Sequence, residues 1–125
     1  MFTSAIIATS ILILLIVFQI ALIAGAPLGH FAWGGKNKIL PVKLRIASVS
    51  SILIYILFIL FILSKAHIWE VITYAPLLQT GLWVMTGYLF LGVLLNLASR
   101  SKQERYTMTL VALVLAVTFL VVAIL

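Results

Sequence analysis

The sequence predicts an all-α integral membrane protein: a four-helix, up-and-down transmembrane bundle with both termini on the non-cytoplasmic side. Three observations lead there. Of the 125 residues, 66% are hydrophobic and 8% charged, with mean hydropathy +1.37; soluble domains carry about a quarter charged residues, so a water-soluble globule is excluded. The apolar residues fall into four runs, each close to the ~20 residues that cross a hydrocarbon core of roughly 30 Å. The cations cluster in two of the three connections between runs.

The first span runs from about residue 5 to 24, with Thr3 and Ser4 as candidate caps and Thr9, Ser10 and Gln19 as its polar interruptions. Ala24-Gly25-Ala26 resembles a signal-peptide cleavage site. No Lys or Arg precedes the run, the apolar stretch is too long and Pro27 would follow the cut, so the helix is expected to be retained. The other spans are expected over residues 44–63, 77–97 and 106–125, giving one domain over 1–125. Pro27, Pro41 and Pro76 lie at or outside span ends, where a missing donor and fixed φ do least harm.

Orientation follows from charge. Lys36, Lys38, Lys43 and Arg45 belong to the first connection (25–43) and the adjoining start of helix two; Arg100, Lys102 and Arg105 belong to the third (98–105). Only Lys65 is in the second, so the positive-inside rule makes the first and third cytoplasmic. The net charge of +6 therefore points to topology and anionic headgroups, and no nucleic-acid partner is expected. Cysteine is absent, which excludes disulfides and thiolate chemistry. Trp33, Trp69, Tyr74, Tyr106 and His67 fall near span ends as expected interfacial anchors.

The most distinctive segment, from Gly25 to Gly35 and closed by Leu40-Pro41, carries four glycines and prescribes a folded interfacial loop. Gly34 and Gly35 with Lys36, Lys38 and Arg45 are candidate contacts to an anionic lipid or ligand; the alternative is a tight helix-exit turn anchored by Trp33. A nucleotide phosphate loop is excluded because Asn37 follows Lys36 and no strand precedes it. His67 and Glu70 share the spacing of a metal pair, but no third ligand accompanies them, and a solvated helix turn is expected.

Apart from Arg45 at the start of the second, no Asp, Glu, Lys, Arg or His falls within the expected spans, which disfavours a proton-coupled pump. Their other polar groups are neutral, and Gln19, Ser51, Tyr55, Tyr88 and Asn96 are candidate interhelical contacts. Ala47, Ser51 and Tyr55 make one stripe on helix two; Gly81, Met85, Tyr88, Gly92 and Asn96 make another on helix three, and the two should face each other. Since Gln19, Ser51 and Asn96 lie in the cytoplasmic halves, that end should be the more polar, as a small pocket or as interhelical hydrogen bonds. Ala21 with Gly25, and Ala112 with Ala116, are small pairs suited to close helix approach. Glu104, the one acid on the basic side, is expected to form a salt bridge with Arg45.

Gly25-Ala26-Pro27-x-Gly29, Gly34-Gly35, Leu40-Pro41-x-x-Leu44-Arg45 and Asn96 with Ser101-x-x-Glu104-Arg105 together resemble a family of small, functionally uncharacterised bacterial four-pass membrane proteins. The resemblance implies a bacterial cytoplasmic membrane and four helices, and brings no activity. Leu28 and Thr107-Met108-Thr109 depart from the family pattern, which has aromatic residues or proline there. Small multidrug transporters would need a glutamate within helix one, and membrane-associated glutathione enzymes an Arg- and Asn-rich motif; neither is present. The expected function is non-enzymatic, with no catalytic residue, metal or cofactor: association with lipid, with a second copy or with another membrane protein. The alternative is an oligomeric small-solute transporter or channel.

Overall fold

The computed structural model describes residues 1–125 and is all-helical. Helices α1 (Phe2–Ile23), α2 (Val42–Lys65), α3 (Ala75–Leu97) and α4 (Thr109–Ile124) follow in order, with a π-helical turn at Glu104–Met108 leading into α4. The four candidate spans, the last counted as Glu104–Ile124, are each long and apolar enough to cross a membrane. Pro41 precedes the first turn of α2 and Pro76 sits in the first turn of α3, where a backbone donor is not needed.

Packing is uneven around the bundle. α1 lies along α2 and α3 along α4, α1 also packs on α4, and the α2–α3 contact is narrower. The buried core gathers at the end holding both chain termini. Ala5, Ala8 and Leu12 of α1 meet Phe58, Phe61 and Ile62 of α2, Leu82 and Met85 of α3, and Phe119, Val122 and Ala123 of α4. Ala5, Ala8 and Ala116 are fully buried, so small residues do permit close approach of α1 and α4. The pairing differs from the expected one: Gly25 has left α1 with φ +94°, and Ala112 lines a cavity.

The same end is tied by polar bonds. Lys65 Nζ donates to Gln79 Oε1 (2.7 Å), and Gln79 Nε2 donates to the Ala123 carbonyl (2.6 Å), linking α2, α3 and α4. The Ser64 hydroxyl accepts from the Ile72 amide (3.0 Å) and folds the connection back. That connection is not the helix turn expected from sequence. His67 has φ +59°, and it donates from Nδ1 to Glu70 Oε1 at 2.7 Å, both side chains largely exposed.

Candidate functional site

The opposite end, carrying the basic connections, is built around two spaces. The first connection folds as two 3₁₀ turns, Gly29–Phe31 and Trp33–Gly35. Gly29 donates its amide to the Lys38 carbonyl (2.8 Å), and a Cβ there would run into the Asn37 backbone. Gly35, at φ +72°, lies against Ser101 so closely that a side chain would collide with it. The Ser101 hydroxyl donates to the His30 carbonyl, and His30 Nδ1 lies 3.0 Å from the Gly35 carbonyl oxygen. These contacts join the two basic connections through neutral groups.

The expected Arg45–Glu104 salt bridge is absent, since the single ion pair within 4.0 Å is His67–Glu70. Arg45 instead turns back on its own connection: Nε donates to the Leu40 carbonyl at 2.8 Å, and the guanidinium lies over Gly25. Glu104 goes the other way. The π turn carries it into the bundle, where the residue is only 8% exposed, so it belongs to the fourth helix rather than to a solvated connection. Ser101-x-x-Glu104 has the spacing of a capping box. Ser101 nevertheless spends its hydroxyl on His30 and Gln103, and its amide on Ser99, leaving the carboxylate without that partner.

Glu104 lines a half-open cavity of about 520 Å³ between the basic-end halves of the four helices. Gln19, Ser51, Tyr55, Tyr88 and Asn96, the expected interhelical contacts, all line it too. Few of them bond across helices. Asn96 Nδ2 reaches the Met108 carbonyl at 3.4 Å, Ser51 donates within its own helix to Ala47, and Gln19 Oε1 is buried without a partner. The α3 stripe does meet α2 further along, but through residues outside the expected α2 stripe: Phe58 sits edge-on to Tyr88 at 5.7 Å, and Phe61 fills the space beside Gly81. Beyond that contact the stripes line the same cavity instead of packing on one another.

Trp33 is more than a surface anchor. Its Nε1 donates to the buried Ser48 hydroxyl (3.1 Å), and together with Phe31 and Ala32 it forms the cavity wall toward the basic end. Sequence reasoning missed Glu104 and Trp33 as cavity residues. The capping-box spacing and the four-glycine loop were the available signals, but neither specifies which way a side chain turns.

The second space is a cleft of about 460 Å³ on the basic surface, with no hydrophobic residue in its lining. His30, Gly34, Gly35, Lys36, Arg100 and Lys102 are among its lining residues, so two cations of the third connection join three of the expected anion contacts. Lys38 and Arg45, also expected there, lie outside it. No cluster of three or more His, Asp or Glu is placed to hold a metal ion. Comparison with known proteins gives no relative: no family model, no curated protein and no solved structure matches the chain.

Proposed function

We propose that this chain is a multi-pass protein of a bacterial cytoplasmic membrane that works by association, without catalysis. Its basic end faces the cytoplasm, and it engages anionic lipid headgroups there. The cleft formed by Gly34, Gly35, Lys36, Arg100 and Lys102 carries this reading, because it joins cations from two connections and contains no acid. At a span end such a cleft sits at the depth of lipid phosphates, where each Lys or Arg contributes about 1 kcal/mol toward an anionic surface. A second copy or another membrane protein remains the further partner class; nucleic acid does not enter.

Thermal stability of the purified chain in nanodiscs of phosphatidylglycerol and of phosphatidylcholine tests the lipid reading. The wild type should melt higher in phosphatidylglycerol, and Lys36→Ala/Arg100→Ala/Lys102→Ala should remove most of the difference. Equal melting in both lipids, or an unchanged difference in the triple variant, would overturn it. The cavity supports a second reading, a small-solute path through an oligomer. Flux in proteoliposomes that disappears in Gln19→Leu or Asn96→Leu would favour that path.

A further inference from the structure

The cavity has one charged residue, and it is an acid. Among eight Lys and Arg against two Asp and Glu, chance would favour a cation at any charged position, yet neither Lys, Arg nor His lines this space. Three cations with partners in the structure are directed elsewhere. Arg45 binds the Leu40 carbonyl, Arg105 lies over the Tyr106 ring at 5.1 Å from its centroid, and Lys65 serves Gln79 at the far end. The Glu104 carboxylate has no hydrogen bond within the protein and no cation within 4.0 Å, although the residue is more than nine-tenths buried.

Its oxygens keep some accessible surface, unlike the fully enclosed Gln19 Oε1, but a carboxylate held in so poorly solvated a place without a partner is still costly. Its place in the first turn of a helix offsets part of that cost, because the helix N-terminus favours negative charge. The remaining lining supplies what an organic cation uses. Trp33, Tyr55 and Tyr88 bring aromatic rings, and Gln19, Ser51 and Asn96 add neutral polar side chains to the lining. One carboxylate among neutral side chains brings too few charged oxygen ligands for a calcium or magnesium ion. The volume of about 520 Å³ lies within the range of small-molecule sites.

We propose that this cavity binds a small organic cation, with an ammonium group paired to the Glu104 carboxylate and seated against the rings of Trp33, Tyr55 and Tyr88. The cation is a free solute or the ammonium headgroup of a lipid; both present the same group to the site. The inference rests on the cavity alone, so the lipid-anion reading of the surface cleft can fail without it, and the reverse.

The test uses the full chain in phosphatidylglycerol nanodiscs, which contain no ammonium headgroup, titrated calorimetrically with benzyltrimethylammonium and corrected for binding to empty discs. Saturable binding of one cation per chain is expected, with benzenesulfonate giving none. Glu104→Gln keeps the side-chain shape and should weaken binding about tenfold or more, the usual size of a charged hydrogen-bonding or ion-pairing contribution. Gly92→Leu is the second variant: Gly92 lines the cavity and a Cβ there meets nothing within 4 Å, so the larger side chain is expected to occupy the cavity and abolish binding, with folding checked by the melting transition. Lys36→Ala/Arg100→Ala/Lys102→Ala should retain it. Adding phosphatidylethanolamine to the discs separates the sources, since competition identifies a headgroup and unchanged affinity a free solute. No saturable binding by the wild type, equal binding of benzenesulfonate, or full affinity in Glu104→Gln or Gly92→Leu would overturn the proposal.

Discussion

The two ends of the bundle use the same four helices and fill them differently. At the end holding the chain termini, Phe58, Phe61, Phe119 and Val122 interlock with alanines of α1 and α4, and a Lys65–Gln79–Ala123 chain of hydrogen bonds crosses three helices. At the basic end the neutral polar residues are present, but most do not bond to one another and a cavity separates them. In a lipid environment apolar burial between helices gains little over lipid contact, so van der Waals packing and interhelical hydrogen bonds hold such bundles together. Stability should therefore reside at the dense end. The hollow end is then the part available for binding.

The largest expected effect is in the dense end. Phe119 is fully buried and packs against Phe58 with ring centroids 5.6 Å apart. Phe119→Ala should cost about 3 kcal/mol in a reversible denaturation titration, at the low end of the range for soluble cores because lipid also solvates the ring in the unfolded reference. A cost below 1 kcal/mol would show that the contrast between the ends is false.

Next comes a pair of substitutions in one helix. A Cβ on Gly81 would collide with the Phe61 ring, whereas one on Gly92 meets nothing within 4 Å. Gly81→Ala should destabilise by roughly 1–2 kcal/mol through overpacking, while Gly92→Ala should stabilise by up to about 1 kcal/mol because it restricts the unfolded chain. The opposite signs, read as melting shifts of the two variants, sharpen the comparison within α3 alone. Shifts of the same sign would mean that the helix packs uniformly.

One polar contact of the hollow end ties its loop to a helix, the Trp33 indole on the buried Ser48 hydroxyl. Trp33→Phe keeps an aromatic wall and removes the bond, at a cost of about 1 kcal/mol. Hydrogen–deuterium exchange should then rise in residues 29–35 and leave α4 unchanged, since the loss is confined to the loop over the cavity.

The four helices were legible because length and apolarity decide them: each observed span lies within a few residues of the run read from the sequence, and Pro41 and Pro76 mark starts in both. The residues of the cavity were legible as neutral polar positions clustered in the basic-end halves. Whether such residues bond across an interface or line a space depends on how far the helices splay, and here Phe58 and Phe61 bridge α2 and α3 at one end only. The inward turn of Glu104 was not legible, because the π turn at 104–108 changes the phase of the helix without any local proline or glycine to announce it. Arg45 was assigned the wrong partner for a related reason: a backbone carbonyl five residues away competes with a carboxylate, and charge counting does not see it.

The smallest expected effect separates a structural from a binding role for the polar lining. Gln19 is nearly fully buried, and its carbonyl oxygen has no partner in the protein. A residue kept for stability would lose stability on truncation to an apolar isostere. Gln19→Leu removes an unpaired buried acceptor and should instead leave melting unchanged or raise it by the equivalent of up to about 1 kcal/mol. The same variant should weaken cation binding, because a polar side chain of the cavity wall is replaced by an apolar one. Lower stability with unchanged binding would assign Gln19 to the fold; unchanged or higher stability with weaker binding assigns it to the site, because a wall residue that serves only packing would not change the affinity of the space it borders.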